Sequence, residues 1–199
     1  MKVAEFEIKG SAPLVIKRMS EKYKEELRQK MITGKAASSR KNREPVDIDK
    51  VYNDSRYVNS EDWDGFHAGA IRAAMVSVCR LVGFKMTLAK LSVFILQDGW
   101  DKREPQIPLI RIYGKPIKQE DMARTSTGEP VLAIRAAYHD WSAKIKVRWD
   151  ADQFTLDDVT NLMMRVGLQA GLCEGRPDSK KSTGMGWGLF DVKGAKLIE

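Results

Sequence analysis

The feature that most constrains the fold is a pair of alternating segments at residues 131–149, VLAIRAAYHDWSAKIKVRW. In the second segment the apolar residues recur at every other position: Trp141, Ala143, Ile145, Val147 and Trp149. Strict alternation is typical of a strand with one face in a core. Because the link YHDW is short, the pattern predicts that the two strands pair as an antiparallel hairpin.

The same alternation places a row of basic side chains on the opposite face of the second strand. This basic ladder consists of Lys144, Lys146 and Arg148. Successive side chains of a strand point to opposite faces, so the ladder faces away from the predicted core. It is either an ordinary solvated sheet face or an electrostatic surface for a polyanion.

Two segments with apolar residues at helical spacing predict the main helices. The first, residues 65–84, has a wide apolar stripe and a stop signal at Gly83. The second, residues 155–172, begins with a credible N-cap at Thr155, followed by Asp157 and Asp158 in the first turn. Strand-like runs flank both helices: VAEFEIKG, LSVFILQD, IPLIRIYG and WGLFDVKGAKL.

Without its insertions, the chain reads β-α-β-β-α-β, the ferredoxin-like pattern. We therefore predict an α+β fold over residues 1–199 as a single domain, with an antiparallel sheet, both helices on one face and long insertions. The longest insertion is 33–64, which is first basic, then acidic and without periodicity. In RNA-recognition domains the open face of such a sheet binds single strands.

The charge of the chain limits the kinds of partner it can have. A formal net charge of +7 favours polyanionic partners, nucleic acid above all.

The two cysteines and the chain's apolar runs exclude further classes of site and location. Cys79 and Cys173 lie in apolar surroundings, which predicts reduced core residues. Together with His67 and His139 they cannot form the usual structural zinc site, so we expect no metal and no cofactor. The chain has no signal peptide and no apolar run of about 18 residues, which predicts a cytoplasmic protein without a membrane partner.

The glycine segment, residues 171–188, is the strongest candidate for a phosphate-binding loop. Clustered glycines let backbone N–H groups approach a ligand closely. Its binding candidates are Arg176, Lys180, Lys181 and Trp187. The segment follows a helix and lacks the G-x-x-x-x-G-K-[ST] order, which excludes a nucleoside-triphosphate P-loop. It leads into the last strand, and we expect it to lie beside the open face of the sheet. The alternative is a mobile connection between the helix and the last strand.

Two further regions could contact a nucleic-acid backbone. The insertion carries Lys35, Arg40, Lys41 and Arg43, which either clamp phosphates or belong to a solvated loop. Arg124 precedes Thr125, Ser126 and Thr127, a combination suited to phosphate contact. The alternative for this second region is a plain loop, which is the simpler explanation.

The glycine segment resembles a loop of the repeat-associated mysterious proteins (RAMPs), the RNA-binding folds of CRISPR effector complexes. In that family a glycine-rich loop follows the second helix of a ferredoxin-like unit and leads into its last strand, as GLCEGRPDSKKSTGMGWGLF does here. The insertion at 33–64 also lies where the backbone subunits of those complexes carry insertions. The resemblance implies RNA binding and self-association along the strand.

A second resemblance, to a family of tailed-phage proteins of unassigned function, covers more of the chain. It rests on GFHAGAIRAAMVSVCR, KMTLAK, EDMARTSTG, YHDWSAKIKVRW and NLMMRVGLQAGLCEGRP. That family commonly has tryptophan before the Arg-Pro pair, where this chain has Gly175. The resemblance implies a phage origin and a bacterial host cell, and it transfers no activity.

These observations predict a non-catalytic protein that binds single-stranded RNA or DNA and forms homo-oligomers along the strand. One alternative is a phage counter-defence factor that binds a host protein. Another is a metal-independent endoribonuclease that uses His67 or His139. Neither histidine has an evident partner in its local motif, and no Ser-His-Asp or Cys-His arrangement is present locally.

Overall fold

The computed structural model describes residues 1–34, 45–124, 128–179 and 184–198, excluding the side chain of Arg124. It is an α+β fold with antiparallel sheets, as the sequence predicts. The strands are β1 Lys2–Gly10, β2 Leu14–Ile16, β3 Tyr57–Val58, β4 Asp64–His67, β5 Val93–Leu96, β6 Gly99–Trp100, β7 Pro108–Arg111, β8 Tyr113–Gly114, β9 Ile117–Arg124, β10 Pro130–Tyr138, β11 Trp141–Trp149 and β12 Phe190–Leu197. The helices are α1 Glu21–Thr33, α2 Ile48–Asp54, α3 Ala68–Val82, α4 Met86–Ser92 and α5 Leu156–Arg165, which continues into a π-helical turn, Val166–Ala170.

The main sheet has the strand order β12-β1-β11-β5, with every neighbouring pair antiparallel, and the short strand β8 also pairs with β11. Its inner face packs against α3 and α5. The predicted alternation along β11 is confirmed, because its five alternating apolar side chains are all buried. The other face, called the open face below, carries the basic ladder.

The end signals of the two main helices are also confirmed. Gly83 ends α3 in the left-handed conformation, with φ of 76°. Thr155 begins α5 with a full capping box, in which its side chain accepts from the Asp158 N–H and the Asp158 carboxylate accepts from the Thr155 N–H. Apolar side chains of both helices join the core against Phe6 and Ile145.

The predicted hairpin of residues 131–149 is wrong. β10 does not pair with β11 but lies in a second sheet with the order β2-β10-β9. The turn at His139–Asp140 therefore carries the chain from one sheet to another, as strands do at the corners of packed sheets. Consecutive burial of Ala136, Ala137 and Tyr138 shows that the end of β10 is covered on both faces.

The insertions contain more regular structure than their patterns predict. The second half of the segment at 33–64 forms α2 and β3 and contributes Asp64 to β4. β4 and β3 then join β7 and β6 in a third sheet with the order β3-β4-β7-β6. Residues 35–44 lie outside the described part of the chain.

An ion cluster around Arg18 and Asp101, which are both buried, joins the third sheet to the start of α1. The Arg18 side chain is 1% exposed and forms ion pairs with Asp101 at 3.6 Å, with Glu21 at 3.2 Å and with Glu104. Asp101 is itself buried. The cluster ties the segment before α1 to the loop between β6 and β7.

Candidate nucleic-acid interface

The open face presents its charges in cross-strand pairs. β1 lies beside β11 in a register that places Glu7 opposite Lys144 and Glu5 opposite Lys146. The Lys144 ammonium lies 3.2 Å from the Glu7 carboxylate, and this hydrogen bond raises the pKa of Lys144. Lys146 lies 4.0 Å from Asp98. Two of the three ladder residues are therefore partly neutralised by neighbouring carboxylates.

The third ladder residue stacks on an aromatic ring. The Arg148 guanidinium lies 5.5 Å from the centroid of Phe94 on β5, and the Arg72 guanidinium lies 5.3 Å from the same centroid. Arg72 is held in place by donating to the carbonyl of Val93 at 3.0 Å. The half-buried Phe94 ring thus has two cations beside it at one edge of the main sheet.

An aromatic side chain that sequence reasoning missed lies beside the ladder. Tyr113 on β8 pairs with Ser142 of β11, and its side chain is exposed. The Arg111 guanidinium lies 5.2 Å from the Tyr113 centroid and 5.8 Å from that of Trp63. The alternation in IRIYG, with Ile110 and Ile112 buried, is the signal that places Arg111 and Tyr113 together on the outer side.

Two adjoining grooves flank Tyr113 on this face. The first, of about 580 Å³, is lined by Glu7, Lys144 and Lys193. The second, of about 500 Å³, is lined by Lys115, His139 and Asp140. Both are also lined by Lys9, Tyr113 and Ser142, so the two grooves adjoin at these side chains, and together they are called the depression below. Lys9 forms an ion pair with Asp140, and Lys193 lies 3.1 Å from Asp191.

The described part of the glycine segment lies elsewhere, against β2 and α3. The Gly188 N–H donates to the Pro13 carbonyl at 2.8 Å, and the Glu174 N–H donates to the Val15 carbonyl at 3.0 Å. Asp178 forms an ion pair with Arg80 of α3. Because α3 covers the inner face of the main sheet, the structure does not bring this part of the segment together with the basic ladder, contrary to the prediction that it lies beside the open face.

Two predicted binding residues of the glycine segment, Arg176 and Trp187, are described and have structural contacts. Arg176 donates to the Cys173 carbonyl at 2.8 Å. The Trp187 ring occupies the space that a side chain at Gly175 would need, and the Arg135 guanidinium lies 6.0 Å from the Trp187 centroid. Lys180 and Lys181 fall outside the described residues.

The remaining basic candidates have no described side-chain position. Lys35, Arg40, Lys41 and Arg43 lie outside the described residues, as do Thr125, Ser126 and Thr127. Arg124 ends β9, and only its backbone is described. Their proposed phosphate contacts stay predictions.

The two histidines lie apart in the fold. His67 is the N-cap of α3, and its Nδ1 accepts from the Gly69 N–H at 2.8 Å. His139 lies in the turn between β10 and β11 and lines the second groove. Among the described residues, no group of histidine, cysteine and carboxylate side chains could hold a metal ion. Both cysteines are free, and burial raises the pKa of Cys173 to about 12.

Comparisons with known proteins show a likeness in structure but none in sequence. No protein-family model matches the chain, and no curated protein matches its sequence. Its structure is similar to a chain of the Type III-B Cmr-beta complex, solved by cryo-EM bound to cognate target RNA. The TM-score is 0.51 at 11% sequence identity, and the match covers 100% of this chain and 61% of that chain. At this identity the likeness concerns the fold alone.

No helix formed by the described residues is long and apolar enough to cross a membrane.

Proposed function

We propose that this protein binds single-stranded nucleic acid, with RNA favoured, on the open face of the main sheet, and that it acts without catalysis. The observation that carries the proposal is the exposed Tyr113 ring, which lies among Arg111, Lys144 and Lys9. Exposed aromatic rings beside cations are the usual means by which sheet surfaces hold unpaired bases and their phosphates.

The mixture of charges on this face favours a single strand over a duplex. Glu7, Asp98 and Asp140 would repel a continuous row of phosphates, such as a duplex backbone presents. An unpaired strand can instead place its bases on the aromatic rings and its phosphates at the cations in turn. Stacking would then contribute more to the affinity than charge does.

Two further observations support the assignment to a ferredoxin-like, RAMP-related fold. The strand order β12-β1-β11-β5, with α3 and α5 on one face, is the order expected for β-α-β-β-α-β connectivity. The similar chain of known structure belongs to a complex bound to target RNA. The resemblance to the tailed-phage family would place the activity in replication, recombination or counter-defence in a bacterial cytoplasm.

A salt titration tests the proposal. We expect a labelled single-stranded RNA to bind with a log–log salt slope of roughly −2, because two or three phosphate contacts contribute about −0.7 each. A duplex of the same length is the control and should bind more weakly. Absence of single-strand binding at low salt would overturn the proposal. A slope steeper than roughly −5 would require more phosphate contacts than this face offers.

A second candidate function is protein interaction, including self-association. α1 buries none of its residues, and its exposed apolar side chains Tyr23, Leu27 and Met31 recur every four positions. The β9–β10 hairpin likewise exposes the cross-strand pair Met122 and Leu132. Apolar surfaces that the described part of the chain leaves exposed in this way mark interaction sites. Light scattering with and without RNA separates a constitutive oligomer from one that forms along the strand.

A further inference from the structure

The two grooves beside Tyr113 have dimensions and chemistry that fit nucleotides. Each has a volume of about 500 Å³ or more, within the range of small-ligand sites. Each contains a lysine together with a carboxylate: Lys144 with Glu7 in the first, and Lys115 with Asp140 in the second. A bare phosphate would be repelled by the carboxylates, whereas a ribonucleotide brings both a phosphate for the lysine and hydroxyl or amino donors for the carboxylate.

The residues that both grooves share indicate how a ligand would span them. Lys9, Tyr113 and Ser142 line both grooves, so a chain that passes from one to the other must cross these three side chains. Lys9 offers a cation and Ser142 a hydroxyl at this crossing, the pair of groups that a bridging phosphate needs. Tyr113 offers a ring to a base on the side that Arg111 does not cover.

We propose that this depression is a site for two consecutive ribonucleotides, with the bridging phosphate at Lys9 and Ser142 and one base stacked on Tyr113. The inference rests on the proposed function and makes it specific, because it fixes the number of nucleotides that each copy of the chain grips. Arg111, which lies between Trp63 and Tyr113, keeps the ring in place as a ready platform. His139 and Lys115 contact the second nucleotide.

A length series of oligoadenylates tests the inference by calorimetry or NMR titration. The ligands are pA, pApA, pApApA and a long single-stranded RNA. We expect pApA to bind at least about tenfold more tightly than pA, the gain typical of one stacked base and its phosphate. Adding the third nucleotide should raise the affinity by no more than about threefold, because that nucleotide lies beyond the two grooves.

Variants test whether the increase in affinity from pA to pApA depends on the residues named above. Tyr113→Ala and Lys9→Ala should each remove most of the gain from pA to pApA, and Tyr113→Phe should keep it because the ring remains. Lys22→Ala is the matched control, since Lys22 is an exposed lysine on α1.

The outcomes separate this inference from the proposed function. An equal gain with every added nucleotide overturns the two-nucleotide site and leaves the proposed function standing. Long RNA binding that Tyr113→Ala leaves unchanged overturns the two-nucleotide site and also the placement of RNA binding on the open face at Tyr113. Absence of binding to every ligand, the long RNA included, overturns both.

Discussion

Replacing Arg18 with alanine should lower the free energy of unfolding by about 3–5 kcal/mol, the usual cost of removing one partner from a buried ion pair. Arg18 and Asp101 are each almost completely buried, and the carboxylate of Asp101 would remain in the interior without its cation. Glu104 would lose the same partner. Chemical denaturation followed by circular dichroism measures the loss.

Arg28→Ala is the matched control for this prediction. Arg28 pairs with Glu25 at 2.8 Å, but both side chains are more than half exposed, so water screens the pair and its removal should change the free energy of unfolding little. The loss of unfolding free energy in Arg18→Lys should fall between those of the two alanine variants, because lysine keeps the charge but lacks the planar guanidinium. If Arg18→Ala cost no more than Arg28→Ala, the buried cluster would not fasten the segment before α1.

Gly188→Ala should be the most disruptive change in the glycine segment, lowering the free energy of unfolding by about 3 kcal/mol or more. Gly188 has φ of 72°, which alanine adopts only with strain. A Cβ at this position would also overlap the backbone of Leu172, whose N–H donates to the Gly188 carbonyl. Thermal or chemical denaturation gives the value.

Substitutions at two other glycines distinguish the cost of backbone strain from the cost of steric overlap. Gly186 has φ of 73°, and apart from its own chain neighbours no described residue lies within 4 Å of the place that a Cβ would occupy. Gly186→Ala should therefore cost only the backbone strain, about 1 kcal/mol. Gly194 in β12 has neither a positive φ nor a close contact at the Cβ position. The free energy of unfolding of Gly194→Ala should therefore stay within about 0.5 kcal/mol of the parent's. Equal effects at all three positions would contradict the close packing of Gly188 on Leu172.

Local patterns predicted the elements whose side chains divide cleanly between core and solvent. α3 and α5 carry continuous apolar stripes and strong end signals, and β11 alternates without exception. β9 was missed because its half-buried side chains, Gln119, Asp121 and Ala123, are mostly polar, so the strand shows no apolar period in its sequence. β2 has only three residues, all buried, and their spacing merges with that of the helix that follows.

Which strands pair with each other could not be predicted from these patterns. Periodicity identifies the faces of a strand but not its neighbour, so two strands joined by a short link were assigned to one hairpin. The same limit applies to the site. The outward position of Lys144 follows from alternation, but its pairing with Glu7 depends on β1 lying beside β11. Alternation in IRIYG places Tyr113 on the outer side, but its position beside the ladder depends on β8 pairing with β11.

The most direct test of the account compares two doubly neutralised variants in single-stranded RNA binding. Lys144→Gln with Lys193→Gln removes two cations from the open face, and Arg80→Gln with Arg176→Gln removes two from the helix-covered side. Circular dichroism first establishes that both variants are folded.

We expect the open-face variant to bind about tenfold more weakly, with a salt slope nearer zero by about 1.4, because each lost phosphate contact contributes roughly 0.7. The helix-side variant should bind within about twofold of the parent, a difference of less than about 0.5 kcal/mol. The reverse result, with affinity lost only in the Arg80 and Arg176 variant, would contradict binding on the open face and assign it to the side of the glycine segment.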